Sequence, residues 1–170
     1  MRAYFAPCGV GLGHAGRCFP IAKRIRKDGS KVLFSTYGDA IGLVRRECLP
    51  VVESPPLVLD FGGDGAVDVR WSLLKHGVRT AFTILEQVNS EIQRIQTYSP
   101  DIVLSDTRIS TILAAKMLRL PVILILNQFQ VLMPRGQRLL TISRLVDAGA
   151  LALVGRLWSL SDRVMIPDLP

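Results

Sequence analysis

The short apolar run Ala3 to Ala6 ends at Pro7 and gives way to CGVGLGHAGRCF, residues 8–19. Within it, Gly9, Gly11, Gly13 and Gly16 put four glycines into eight positions. A strand that runs into a glycine-dense turn and then opens a helix leaves backbone N–H groups unpartnered at the positive helix end. Such a turn suits a phosphate or another oxyanion facing a cleft. His14 sits in the turn and Arg17 follows it by three residues. The feature therefore asks for strand-then-helix units, and the rest of the chain supplies more of them.

Arg2 to Pro7 reads as the first strand. A helix over His14 to Lys27 follows, with Ala15, Cys18, Phe19, Ala22 and Ile25 on one face and Arg17, Lys23, Arg24 and Lys27 mostly off it. Pro20 inside that pattern predicts a kink or a late start. Asp28-Gly29-Ser30 ends the helix. Lys31 to Thr36 is a second strand, Asp39 to Glu47 a short helix and Val51 to Glu53 a third strand. The pattern fails from Pro55 to Asp68, where a loop with a short strand at Leu57 to Asp60 is expected. Val69 to Thr97 reads as one long helix or a kinked pair. Ile102 to Ser105 is a fourth strand, Arg108 to Leu118 a helix and Pro121 to Leu126 a fifth strand. A helical region from about Arg138 to Ser159 and a sixth strand at Arg163 to Ile166 close the chain.

Strands alternating with helices imply an α/β fold, a Rossmann-like parallel sheet covered by helices on both faces. The order 3-2-1-4-5, with the sixth strand as an addition, makes the first and fourth strands neighbours at the topological switch point, where ligands bind beyond the carboxyl ends. His14 after the first strand and Asp106 after the fourth should then face each other across the crevice. Thr36 and Tyr37 after the second strand, and Asn127 and Gln128 after the fifth, should line the same rim. An imidazole beside a carboxylate can act as a general base, because the carboxylate fixes its tautomer and stabilises the imidazolium. Helix-capping roles for His14 and for Asp106 are the alternatives.

The net charge of +7, from 21 Lys and Arg against 14 Asp and Glu, favours anionic partners. No aromatic-basic RNA motif or recognition helix is visible, so nucleic acid is not the expected one. Cys8, Cys18 and Cys48 have no paired spacing, and Cys8, His14 and Cys18 do not repeat a Cys-x-x-Cys unit. They read as reduced, mostly buried thiols of a cytoplasmic protein, with no metal expected. The apolar run at the start is too short for a signal peptide, and Pro121 to Leu126 is far shorter than the ~20 residues of a spanning helix.

Gly11, Gly13 and Gly16 also spell GxGxxG, the fingerprint of a nicotinamide-dinucleotide oxidoreductase. Pro7-Cys8-Gly9-Val10 separates the strand from the first glycine of that motif. The second strand ends Phe34-Ser35-Thr36 with no acid for a ribose, Asp39 coming three residues later.

GVGLGHAGR, followed by Pro20 and an amphipathic helix, and SPDIVLSD much later, resemble the N-terminal half of a GT-B fold glycosyltransferase. The likeness is to the group that contains the lipid-linked N-acetylglucosaminyltransferase of peptidoglycan synthesis and its archaeal and bacterial relatives. The resemblance implies that residues 1–166 form the acceptor-side domain and that 167–170 begin a linker to a donor domain outside this chain. It implies an inverting transfer of a sugar, from a UDP-sugar, to a hydroxyl acceptor, either a small molecule or a lipid-linked one. His14 matches the catalytic base and Asp106 its carboxylate partner, with Gly11, Gly13, Arg17, Thr36, Arg108, Asn127 and Gln128 as the substrate-binding set. It implies no cofactor beyond the donor. A nucleotide-sugar epimerase shares this two-domain fold and is a further alternative beside the oxidoreductase. Arg70, Trp71, Lys75, His76 and Arg79, and the stretch Phe129 to Met133 with Arg135 and Arg138, mix basic and apolar residues and suit peripheral contact with the inner face of a membrane.

Overall fold

A computed structural model describes residues 1–57, 69–126, 149 and 152–167, and the side chains of all of these except 69–78. The elements run β1 (Arg2–Pro7), α1 (Gly13–Lys27), β2 (Lys31–Thr36), α2 (Asp39–Arg46), β3 (Val51–Glu53), α3 (Val69–Tyr98), β4 (Ile102–Asp106), α4 (Ile109–Met117), β5 (Val122–Ile125), a short helix α5 (152–158) and β6 (Arg163–Met165). Among the described residues all the strands pair in parallel in one sheet of order β3-β2-β1-β4-β5-β6. The expected order holds, and β6 extends it beside β5, with Ile123 opposite Arg163.

Parallel strands buried on both faces read as continuous apolar runs, and their alternation divides the core in two. On one face Ala3, Phe5, Val32, Phe34 and Leu104 meet α1 and α2. On the other, Tyr4, Ala6, Val103, Val122 and Leu124 meet α3 and α4. Phe5 and Phe34, opposite one another in the β1–β2 register, stack with centroids 4.9 Å apart. Burying a ring of this size contributes about 1.5–3 kcal/mol. On α1 the buried residues are Ala15, Cys18, Phe19 and Ala22, a helical stripe. The helix neither starts late nor stops at Pro20. That residue is exposed, so a carbonyl deprived of its helical partner there can turn to water.

The stretch at 69–98 is one helix of 30 residues, not a pair. Among the cysteines only Cys18 is fully buried; Cys8 is half-buried and Cys48 is exposed, so burial is less complete than composition implied. No helix among the described residues is long and apolar enough to cross a membrane. The strand expected at Leu57 to Asp60 falls, after Leu57, outside the described residues, as do Asn127, Gln128, Phe129 to Met133, Arg135 and Arg138, and the side chains of Arg70, Trp71, Lys75 and His76.

Candidate active site

The β1–β4 register brings the site together. Ala3 lies opposite Ile102 and the pairing continues to Pro7 opposite Asp106, so both strands end at the same level. Beyond that level the two turns are laced by the Cys8 N–H, which donates to the Asp106 carbonyl at 3.1 Å, and by an isolated bridge between Pro7 and Thr107. Helix α1 starts at Gly13, which places His14 in its first turn and Arg17 one turn further on. Residues three apart share a helix face, and here both turn toward Asp106.

The Asp106 side chain is fully buried, whereas that of His14 is 28% exposed. An ionised carboxylate only accepts hydrogen bonds, so His14 Nδ1 donates to Asp106 Oδ1, 2.8 Å away. Arg17 grips the same carboxylate with two donors, Nε to Oδ2 at 3.0 Å and Nη2 to Oδ1 at 2.8 Å. The close approach of Arg17 Nη2 to His14 Nδ1, 2.9 Å, is then two donors meeting at one oxygen. A buried carboxylate held by a guanidinium fork and an imidazole is strongly oriented. With its proton directed at Asp106, the ring keeps a lone pair on Nε2, the arrangement of a general base.

The glycines do more than one job. A Cβ at Gly9 would stand 2.2 Å from the Tyr37 carbonyl oxygen, so the turn after β1 packs directly on the turn after β2. Gly11 sits at φ +76°, in the left-handed region. A Cβ at Gly11, Gly13 or Gly16 would meet nothing within 4 Å, and Gly11 and Gly13 are exposed. Backbone on this side of the turn is open to an incoming group.

Two residues expected at the rim, Thr36 and Tyr37, and one of the expected substrate-binding set, Arg108, are placed elsewhere. Thr36 is fully buried and its hydroxyl donates to the Pro7 carbonyl at 3.1 Å, tying β2 to β1. Tyr37 is buried, with its hydroxyl 3.2 Å from Cys8 Sγ; burial pushes that phenol's pKa up, and the neighbouring Cys8 adds to it. Arg108 points into the protein instead of the cleft. It donates to the Ser35 carbonyl, to Ser54 Oγ and to Glu91, and its guanidinium lies 5.6 Å from the Tyr37 ring centroid. Its charge is satisfied inside because Glu91 is there to meet it. Arg17, expected to bind substrate, is turned toward Asp106.

Thr107 was not anticipated. It adopts φ +62°, donates from Oγ1 to the Asp106 carbonyl at 2.7 Å, and brings that oxygen to 3.5 Å from His14 Nδ1. Trp158 Nε1, on α5, donates to the Thr107 carbonyl at 3.2 Å and steadies the turn from the other side. Nothing in the local sequence distinguishes Thr107, since a non-glycine residue in a left-handed conformation shows only in the backbone.

Comparison with known proteins bears on the family and the fold. An uncharacterized glycosyltransferase of Methanosarcina acetivorans is 31% identical over 173 residues, which cover 100% of this chain and 43% of the relative. Among solved structures, MurG of Acinetobacter baumannii superposes with a TM-score of 0.62 at 16% identity, covering 99% of this chain and 42% of that one. The glycosyltransferase SsfS6 of Streptomyces sp. SF2575, complexed with thymidine diphosphate, gives 0.58 at 20% identity, with 99% and 47% covered. The chain thus spans less than half the length of these proteins, and its sheet is the Rossmann-like half of a GT-B fold. Residues 1–140 match the family described as Glycosyl transferase family 1, and the chain belongs to that family.

Proposed function

We propose that this domain is the acceptor-binding half of an inverting glycosyltransferase that moves a sugar from a nucleotide-sugar donor, a UDP-sugar, to a hydroxyl acceptor. The observation that carries the reading is the His14 Nδ1–Asp106 Oδ1 contact of 2.8 Å at the carboxyl edge of the sheet. In this reading His14 Nε2 takes the proton of the acceptor hydroxyl as its oxygen attacks the anomeric carbon. The bond from that carbon to the donor's phosphate oxygen breaks, and the nucleoside diphosphate leaves with the electron pair. Attack from the face opposite the leaving group inverts the anomeric centre. Asp106 stabilises the imidazolium that forms, and Arg17 holds Asp106 in place.

Donor binding belongs to a second domain, for which the length of the matched relatives leaves room. The basic and apolar stretches around Trp71 and Phe129 would meet a lipid-linked acceptor at the inner face of the membrane. The family match favours this reading over a nicotinamide-dependent oxidoreductase using the GxGxxG turn and over a nucleotide-sugar epimerase.

The test is stereochemical. Transfer from an α-linked UDP-sugar by the enzyme carrying this domain should give a β-linked product in the proton NMR spectrum. An α-linked product would overturn the inverting mechanism. Calorimetry of this chain with UDP-sugars should show little heat of binding; micromolar affinity would mean that the donor site lies in this half.

A further inference from the structure

The fully buried Glu91 has no part in the chemistry proposed above, yet it is the hub of a polar network inside the protein. It accepts from Tyr4 OH at 2.7 Å, Ser35 Oγ at 2.5 Å, Ser54 Oγ at 3.2 Å and Arg108 Nη2 at 2.9 Å. Both members of the ion pair are withdrawn from water, at 2% and 0% exposure. Burial alone would push the Glu91 pKa up, but Arg108 and the hydroxyls of Ser35 and Tyr4 hold it below its ordinary value. A buried ion pair is weak evidence for stability, because well-packed apolar residues often do as well. Its retention calls for another reason, and its location supplies one.

Arg108 is two residues from Asp106 and adjacent to Thr107, whose φ of +62° marks the turn as one that its surroundings must hold. The Ser105 hydroxyl donates to the Arg108 carbonyl at 2.8 Å, closing the turn on itself. The Arg108 side chain then runs inward to the Ser35 carbonyl on β2, to Ser54 beyond β3 and to Glu91 on α3. On the same helix Gln87 donates to the Pro55 carbonyl at 2.6 Å and accepts from Ser110 Oγ at 2.8 Å, while Arg94 donates to the Glu53 carbonyl. Gln87, Glu91 and Arg94 lie four and three residues apart and so share one helix face.

We infer that the Glu91–Arg108 pair is a positioning device. It anchors the turn that carries Asp106 and Thr107 to α3, and it holds the His14–Asp106 contact in register. Neither residue touches the reacting atoms. The functional meaning of this inference rests on the reading of His14 as a base, but the mechanical link can be observed without it.

The experiment compares the unaltered chain with the double variant Glu91→Leu/Arg108→Met, which replaces the pair by apolar residues of similar bulk, and with Arg108→Lys and Glu91→Gln. Two signals are read. The first is hydrogen exchange of the Cys8 amide, which donates to the Asp106 carbonyl and reports the place of the turn whatever His14 does. The second is the nitrogen-15 spectrum of the His14 ring, easily assigned because the chain holds 2 histidines and His76→Gln removes the other. In a folded double variant the Cys8 amide should exchange about tenfold faster or more, and the share of His14 protonated on Nδ1 should fall. Arg108→Lys keeps the charge but not the fork, so both signals should be rescued only in part.

Unchanged Cys8 exchange in the folded double variant would overturn the inference. Should the double variant not fold, Glu91→Gln, which keeps the shape and removes the charge, decides by the same two signals. If the unaltered chain shows no Nδ1-protonated His14, the proposed function fails, while Cys8 exchange still judges the positioning role. In the enzyme carrying this domain, the folded variants should lose kcat several-fold with KM little changed; a loss confined to KM would contradict positioning.

Discussion

His14 and Asp106 are 92 residues apart in the sequence, and their side chains meet at 2.8 Å between Nδ1 and Oδ1. The contact follows from one register. Because Pro7 pairs with Asp106, the turn after β1 and the turn after β4 leave the sheet side by side. The glycine-rich segment then delivers the first turn of α1 to the carboxylate. Arg17 reaches the same carboxylate through both Nε and Nη2, which makes the site a three-residue unit around one buried charge.

That unit makes Arg17, whose side chain is 14% exposed, more important to stability than a surface arginine usually is. Arg17→Met would leave the Asp106 carboxylate buried with His14 as its remaining side-chain partner. The expected loss is about 2–3 kcal/mol of unfolding free energy in urea melts. Arg17→Lys should recover only part of it, since a lysine cannot engage both oxygens as a fork. A loss within about 0.5 kcal/mol, as at an ordinary surface site, would show that the ion pair contributes little.

Gly9 permits the close contact between the turns after β1 and β2. In Gly9→Ala the new methyl would stand 2.2 Å from the Tyr37 carbonyl oxygen, and a backbone atom cannot rotate away as a side chain can. The variant should lose about 1–3 kcal/mol of stability and weaken the Cys8–Tyr37 contact. Gly13→Ala, with nothing within 4 Å of its Cβ, is the control. Equal thermal midpoints for the two variants would contradict the packing account.

The acid limb of the stability profile should carry the signature of Glu91. Burial opposes its charge, but Arg108 and the hydroxyl donors outweigh burial and hold the folded-state pKa below the ordinary 4.5. The unfolded chain therefore binds the proton more readily. The stabilising contribution is complete above about pH 4.5 and is lost as the pH falls from there through the folded value. Glu91→Gln should be less stable near neutrality and should show a flatter dependence below pH 4.5. A slope identical to that of the unaltered chain would mean that other carboxylates dominate acid unfolding.

The sheet was legible because parallel strands buried on both faces appear as short apolar blocks, and β1, β2 and β3 end where those blocks end. Strand order is enough to set His14 and Asp106 facing each other at the carboxyl edge, and the 2.8 Å contact is what the structure adds. Arg108 was misread for an equally physical reason. A basic residue after a strand normally faces solvent, and here Glu91, one of two acids on the long helix α3, draws it inward. Tyr4, Ser35 and Ser54, which complete that network, come from three separate segments, and no local pattern joins them. Thr36 was misplaced because a hydroxyl at the end of a strand can serve a ligand or the neighbouring strand, and here the Pro7 carbonyl is within reach.

The central claim is that His14 and Asp106 act as one catalytic unit. Its most direct test is turnover of the enzyme carrying this domain as His14→Ala, Asp106→Asn and the double variant, each checked for a native-like fold. Removing a general base typically costs about 10²–10⁴-fold in rate. Each single variant should fall in that range, and the double variant should be scarcely slower than the slower single, because residues acting as a unit are not additive. Normal turnover by a folded His14→Ala variant, or losses that simply multiply in the double variant, would contradict the account.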